Sequence, residues 1–129
     1  MIYNIINKLF WWVPAGKAPE ITAEDVQALI EDKKNNFILV DVRTHKEWKR
    51  SHIKGAVNMP VTRLFSEYQD DIFNKDKLII VICRSAHRSI AGYRFFRDKG
   101  FTDVVHLREG MRRWWSKNLP TDKLSRSVR

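Results

Sequence analysis

The stretch from Leu78 to Gly100 constrains the fold most, because it joins a strand pattern, a polar loop and a helix pattern. Residues 78–83 form an apolar run rich in β-branched side chains, which is typical of a strand buried on both faces of a parallel sheet. Apolar residues then recur at helical spacing from Ile90 to Phe96, and Gly100 is placed to end a helix. The loop therefore lies at the carboxyl end of a strand, where open α/β sheets bind ligands.

Cys83, the only cysteine in the chain, opens this loop and precedes Arg84 and Arg88. A helix N-terminus and nearby positive charge both favour the thiolate form of a cysteine, which is the nucleophilic form. A lone cysteine at a strand end can instead be a small packed hydrophobe. Two arginines, a histidine and two serines among the next six residues favour the nucleophile. One cysteine also excludes an internal disulfide.

Strand and helix patterns alternate along the rest of the chain. They predict one α/β domain with an open parallel sheet of about five strands and helices on both faces. The predicted domain covers residues 21–119, after an N-terminal amphipathic segment at 1–16 and a linker at 17–20, and before a loose basic tail at 120–129. Besides the central unit, the patterns predict strands at 37–42, 55–58 and 104–107 and helices after Thr22, after Thr44, at 64–73 and at 111–117.

The net charge of +9 is concentrated in the loop and the residues that follow it. Residues 84–129 hold 12 Lys and Arg against 4 Asp and Glu. This excess predicts either a positive field that attracts anionic substrates or solubilising charge on late helices and the tail, and the sequence does not separate the two. No basic stripe interleaved with aromatic residues indicates a nucleic-acid site. The four histidines show no metal-ligand spacing, so we expect no metal.

Three ordered blocks resemble those of the rhodanese-type sulfurtransferases. Residues 83–89, Cys-Arg-Ser-Ala-His-Arg-Ser, are similar to the family's active-site loop, which usually reads Cys-Arg-Ser-Gly-x-Arg-Ser. Residues 39–60 resemble its upstream block, and residues 106–114 resemble its Leu-x-Gly-Gly-x-x-x-Trp ending. Ala86 and Glu109 depart from these patterns, because each stands where the family has glycine.

The resemblance implies sulfur transfer without a separate cofactor, through a persulfide on Cys83. A small anionic donor, of the thiosulfate or persulfide type, would load the cysteine, and a thiol, cyanide or a sulfur-relay protein would unload it. Asp41 would accept hydrogen bonds from loop groups or an arginine and hold the loop open; the alternative is an aspartate that only caps the next turn. Independently of the resemblance, we expect Arg43 and Glu47 to form a structural ion pair rather than to act in catalysis. The remaining residues of the loop would bind the donor: Arg84, Ser85, Ala86, His87, Arg88 and Ser89.

Two other functions stay open. One is a weakly active rhodanese-like module that binds a partner or carries sulfur, which the departures at Ala86 and Glu109 favour. The other is a phosphatase of the Cdc25 type or an arsenate reductase, which share the fold. Those enzymes have five residues between cysteine and arginine, whereas only four lie between Cys83 and Arg88, so this function is disfavoured.

Residues 1–13 place apolar side chains on one helical face beside Trp11 and Trp12. The segment is too short and polar to cross a bilayer, and it lacks the basic start of a signal peptide. It fits a peripheral helix on a membrane or partner, docking on its own domain, or self-association. We expect a cytoplasmic protein. The alternative is a protein that this segment attaches to the surface of a membrane.

Overall fold

A computed structural model describes residues 18–33, 36–70, 72–85 and 87–124. Its centre is a five-stranded sheet in the order β1-β5-β4-β2-β3, and every pairing is parallel. The predicted open parallel sheet is therefore confirmed. The strands are β1 (Glu20–Ile21), β2 (Phe37–Asp41), β3 (Val57–Asn58), β4 (Leu78–Ile82) and β5 (Val104–Leu107).

Helices cover both faces of the sheet, as predicted. Two buried clusters lie on opposite faces: one takes side chains from α1 and α5, and the other takes them from α3 and α4. The helices are α1 (Ala23–Asp32), α2 (His45–Arg50), α3 (Leu64–Glu67), α4 (His87–Asp98) and α5 (Gly110–Ser116), and a 3-10 turn (Val61–Arg63) precedes α3.

Strand β4 is central and all of its residues are buried. Its side chains alternate, so that Ile80 and Ile82 face the α1 and α5 side while Ile79 and Val81 face the α4 side. Each such fully buried side chain contributes about 1.5–3 kcal/mol of hydrophobic free energy. A Cβ on Gly92 of α4 would lie only 2.8 Å from Val81 Cγ1, so α4 packs unusually close to β4. This close packing joins the strand before the loop to the helix after it.

Threonine side chains begin two of the helices, as their spacing predicts. Thr22 Oγ1 accepts a hydrogen bond from Asp25 N at the start of α1. At α2, Thr44 and Glu47 form a complete capping box in which each side chain accepts from the other residue's backbone N–H. A cap of this kind contributes about 1 kcal/mol.

The predicted helix at residues 64–73 is wrong beyond its first turn. Helix α3 ends at Glu67, and Tyr68 is extended with a ψ of 135°. This conformation lets the Tyr68 ring pack edge-on against Phe95, at 5.3 Å between centroids, and against Phe96, at 5.8 Å. Aromatic packing on α4 therefore outweighs the helical pattern of this segment.

Backbone contacts extend past both predicted ends of the domain. Glu20, assigned to the linker, begins β1 and pairs with His106. Residues of the predicted loose tail are docked, because Asp122 and His52 exchange two backbone hydrogen bonds of 2.9 and 2.7 Å and Leu124 N donates to Lys49 O. The amphipathic segment at 1–16, Lys17 and residues 125–129 lie outside the described residues.

Within the described ranges, no helix has the length and apolar character that crossing a membrane requires.

Candidate active site

Cys83 and Asp41 lie on the same rim of the sheet, as expected from their positions at strand ends. Strands β2 and β4 are direct neighbours, and Asp41 is paired with Ile82, the residue before Cys83. Val42 N donates to Ile82 O at 2.9 Å and continues the pairing past the end of β2. The loop that starts at Cys83 therefore sits at the carboxyl edge of the two central strands.

The Cys83 side chain is buried, with 1% of its surface exposed, and belongs to the apolar cluster on the α4 face. The next residue, Arg84, is exposed, and Ser85 is half-buried. His87 is also exposed, while Ala86 lies outside the described residues. The sulfur thus lies beneath a polar loop that faces solvent.

Helix α5 holds the first two carbonyl groups of the loop. Met111 N donates to Cys83 O at 2.8 Å, and Arg112 N donates to Arg84 O at 3.0 Å. Gly110 makes this approach possible, because a Cβ there would overlap Cys83 O and would lie 2.6 Å from Arg84 O. Gly110 also has a φ of +58°, which a residue with a side chain rarely adopts.

This arrangement orients the loop amides. In a trans peptide the N–H group points opposite to the preceding C=O group. Because the carbonyls of Cys83 and Arg84 point at α5, the N–H groups of Arg84 and Ser85 point away from it. Helix α4 adds its first turn on the other side of the loop, where helical N–H groups have no partner within the helix. The loop can therefore present several backbone donors to an anion.

Arg88, in the first turn of α4, is held by Glu47 of α2. Arg88 Nη1 donates to Glu47 Oε1 at 2.7 Å and Nη2 donates to Oε2 at 2.9 Å, which is a bidentate pair. Hydrogen bonding by Arg88 lowers the pKa of Glu47 to about 2. The same hydrogen bonds raise the pKa of Arg88, with smaller contributions from the charges of Glu47, Cys83 and Asp41. Both side chains are about one third exposed.

Asp41 accepts hydrogen bonds from an arginine and also caps the turn that follows β2, so both expectations for this residue are met in part. The expected ion pair between Arg43 and Glu47 is wrong. Arg43 Nη2 donates to Asp41 Oδ2 at 2.8 Å, and Arg43 N and Nε both donate to Asp41 Oδ1 at 3.0 Å. Arg43 Nη2 also donates to Ser51 O at 2.6 Å. The turn after β2 folds Arg43 back over Asp41, which leaves Glu47 to face the loop.

A buried polar pair that sequence reasoning missed supports the last residue of the loop. Ser89 Oγ lies 3.0 Å from His106 Nδ1, and both residues are buried. Burial lowers the pKa of His106, although the Glu20 carboxylate, 4.0 Å from Nε2, opposes this effect. The pair joins α4 to β5. No motif links the two residues, and only the neighbouring positions of β4 and β5 bring them together.

The described residues contain no cluster of three or more metal-ligating side chains. His52 bonds locally, with Nδ1 lying 2.6 Å from Trp48 O.

Known proteins are similar to this chain in sequence. YrkF of Bacillus subtilis, which is named as a sulfur carrier protein, is 31% identical over 103 residues, or 80% of this chain and 54% of YrkF. The chain covers a quarter to about half of the length of YrkF and two other curated relatives.

Solved structures of known proteins are similar to this chain in fold. A rhodanese-related protein from Thermoplasma volcanium has a TM-score of 0.69 and 26% identity, and the match covers 80% of this chain and 96% of that one. A thiosulfate sulfurtransferase from Pseudomonas aeruginosa shares the fold, with a TM-score of 0.71 and 23% identity over 81% of this chain and 20% of that one. The family model for the rhodanese-like domain matches residues 22–117. The chain therefore belongs to the rhodanese-like domain family.

Proposed function

We propose that this protein is a sulfurtransferase that moves a sulfane sulfur through a persulfide on Cys83. The observation that carries the proposal is a pair of hydrogen bonds between α5 and the loop, in which Met111 N and Arg112 N donate to the carbonyls of Cys83 and Arg84. These hydrogen bonds turn the following amides away from α5. The amides can therefore form a preorganised binding site for one anionic sulfur atom. Such fixed donors stabilise developing charge without reorganising during the reaction.

The chemistry needs two steps and no resident cofactor. In the first, the Cys83 thiolate attacks the outer sulfur of thiosulfate, the S–S bond of the donor breaks, and sulfite leaves with the bonding electron pair. In the second, an acceptor such as cyanide attacks the outer sulfur of the persulfide, which forms thiocyanate and restores the thiolate. A covalent intermediate of this kind gives ping-pong kinetics.

The charged groups of the loop have separate roles in this mechanism. Arg84 and His87 are exposed and can meet an incoming anion. Arg88 is held by Glu47, so it braces the first turn of α4 and adds positive charge near the sulfur. Ser89 is tied to His106 and anchors the loop to β5. Asp41 and Arg43 are bonded to each other and support the rim beneath.

The burial of Cys83 sets a condition on substrates. Because 1% of its surface is exposed, a donor must reach the sulfur through the loop of residues 84–88 rather than across an open face. Small anions and the tip of a larger persulfide meet this condition. A persulfide held there would be shielded from bulk thiols, so acceptors that fit the loop would be selected.

A sulfur-carrier role is the second candidate, and the similarity to YrkF favours it. In that role Cys83 would load once and deliver to a relay protein rather than turn over with small acceptors. Either role suits the cytoplasm, where thiols stay reduced. Turnover with cyanide and with small thiols separates the two.

Intact-mass measurement tests the proposal. After incubation of the full chain with thiosulfate and removal of the donor, we expect one added sulfur atom, lost on treatment with cyanide. Cys83→Ser should gain none, while Arg94→Gln, an exposed cation farther along α4, should load like the wild type. Absence of any adduct with thiosulfate or an organic persulfide would rule out both sulfur roles. Hydrolysis of an aryl phosphate that depends on Cys83 would indicate a phosphatase instead.

A further inference from the structure

A buried histidine near the end of β5 contacts the first turn of α4. The side chain of His106 is 4% exposed, and its Nδ1 lies 3.0 Å from Oγ of Ser89, which is 0% exposed. Both atoms have been removed from water, so a missing hydrogen bond between them would be costly. The contact therefore ties the position of Ser89 to that of the imidazole.

The sheet fixes the backbone that carries this imidazole. His106 is paired with Val81 of β4 on one side and with Glu20 of β1 on the other. Its N–H also donates to Pro19 O at 3.0 Å. Strand β4 leads directly into the loop at Cys83, so the ring has a fixed place relative to the strand from which the loop starts.

The surroundings of the ring assign its protonation state. Burial is the main cause that lowers the pKa of His106 below its ordinary value of 6.5, and the positive charge of Arg108 acts in the same direction. The Glu20 carboxylate, 4.0 Å from Nε2, and hydrogen bonding to the Ala18 backbone oppose this shift. Because the net shift in pKa is downward, the imidazole is neutral at neutral pH. Ala18 and Glu20 favour its single proton on Nε2.

This tautomer sets the direction of the hydrogen bond. A neutral imidazole that is protonated on Nε2 has only an acceptor at Nδ1. The Ser89 hydroxyl must therefore donate its single proton to His106. The oxygen of Ser89 can still accept, but its proton is engaged by β5.

The first turn of α4 is thus held on two sides. Arg88 is paired with Glu47 of α2, and the next residue, Ser89, donates to His106 of β5. The N–H groups of this turn have no partner within the helix and can face an anion held in the loop. A shift of about 1 Å in such groups can slow a reaction about a hundredfold, so the position of this turn bears on reaction at Cys83.

We propose that His106 is a positioning residue for sulfur transfer, because its neutral imidazole accepts the Ser89 hydroxyl and so fixes the first turn of α4 against β5. This inference rests on the proposed function and adds to it a residue that lies outside the loop. His106 acts through Ser89 and takes no proton during the reaction. What the role requires is a hydrogen-bond acceptor at the place of Nδ1.

Two substitutions of nearly equal size at residue 106 test this role. The amide oxygen of His106→Asn can take the place of Nδ1 and accept from Ser89, whereas His106→Leu offers no acceptor. Intact mass is measured at intervals after the full chain is mixed with thiosulfate at neutral pH. We expect His106→Leu to gain sulfur about tenfold more slowly than the wild type and His106→Asn to stay within about threefold. Ser89→Ala should be as slow as His106→Leu, and combining the two should slow loading little further.

Val105→Ala is the matched control for a loss of packing in the same strand. Val105 is buried beside His106 in β5, but it belongs to the cluster on the α1 and α5 face. This variant should lower the urea midpoint and still gain sulfur at the wild-type rate. Stability and positioning are thereby separated.

Amide NMR signals of residues 84–89 separate failure of this inference from failure of the proposed function, because they report on the loop without any sulfur donor. His106→Leu should displace these signals, whereas His106→Asn should leave them near their wild-type positions. If the wild type never gains sulfur but this difference is seen, sulfur transfer fails and positioning of the loop by His106 stands. If the wild type gains sulfur and His106→Leu loads as fast as His106→Asn, or Ser89→Ala loads at the wild-type rate, the role of His106 is overturned.

Discussion

Two carboxylate–arginine pairs support the same rim of the sheet, and they differ in almost every physical respect. Asp41 and Arg43 are 0% and 1% exposed, lie two residues apart, and bond through three atoms of Arg43. Glu47 and Arg88 are each about one third exposed and are 41 residues apart in sequence. The first pair is sealed beneath the site, and the second crosses from α2 to the start of α4.

The contrast shows that one rim can combine a rigid pair with an adjustable one. The buried Asp41–Arg43 pair is the lower, rigid pair, and the partly exposed Glu47–Arg88 pair is the upper, adjustable pair. A buried pair has lost its water, so removing one partner leaves an uncompensated charge that the fold cannot easily accommodate. A partly exposed pair is screened to some extent by solvent and salt, and its loss exposes charges that water can solvate. We therefore expect the Asp41 pair to control stability and the Glu47 pair to control the position of the loop.

Substitution of the buried carboxylate should have the largest effect. Asp41→Ala leaves the Arg43 guanidinium buried without its main partner, and we expect a loss of about 3–5 kcal/mol in the free energy of unfolding. Urea denaturation measures it.

The exposed pair between Arg63 and Glu67, 3.9 Å apart, gives the control for the buried one. Glu67→Ala should cost less than about 0.5 kcal/mol, since such surface pairs contribute little. If Asp41→Ala were as mild as this control, the distinction between a sealed lower pair and an adjustable upper pair would be lost.

Substitution of Glu47 should affect activity more than stability. Glu47→Gln keeps the size of the side chain and frees the Arg88 guanidinium, so we expect about a tenfold fall in kcat/KM for thiosulfate but a stability loss near 1 kcal/mol. Steady-state kinetics and urea denaturation on the same samples give both numbers.

A positioning role also predicts non-additivity. Once Arg88→Gln has removed the partner, the additional Glu47→Gln change should lower kcat/KM little further. Additive losses in the double variant, or a Glu47→Gln protein with full activity, would show that the pair does not position the loop.

The sequence predicted the sheet and the position of Cys83 at its carboxyl edge, but not the partners of the charged groups. Strands such as Leu78–Ile82 can be predicted because their apolar pattern is local in the sequence. The position of Cys83 follows in the same way, because it lies between a strand pattern and a helix pattern. Which residues form an ion pair depends on the folded geometry, and no local sequence pattern predicts that geometry. Arg43 and Glu47 have the spacing of a helical pair, yet the turn after β2 directs one to Asp41 and the other to Arg88.

Gly110 shows a related limit of sequence reasoning. The Gly-Gly block of the family resemblance draws attention to this residue, but its contact with Cys83 O appears only when β4 and β5 are neighbours. Residues that act through close backbone approach, like those that pair over long sequence distances, are therefore visible only in the folded chain.

The smallest effect is the pH dependence of the upper pair, and its sign is fixed by the lowered pKa of Glu47. The carboxyl group has a pKa of about 2 in the folded protein against its ordinary value of 4.5, so the unfolded chain binds its proton first as the pH falls. The contribution of the pair to stability is thus complete above 4.5 and is lost progressively as the pH falls towards 2. The difference in unfolding free energy between the wild type and Glu47→Gln should stay near 1 kcal/mol from about pH 8 to 5.5 and then shrink towards zero.

At neutral pH, about 1 M NaCl should also reduce this difference in unfolding free energy, because salt screens partly exposed charges. Urea denaturation at stepped pH measures the difference, with Glu67→Gln as a control that should show almost none. A difference that persists undiminished at about pH 2.5 and in high salt would mean that Glu47 acts through packing, and the two pairs would then be alike in kind.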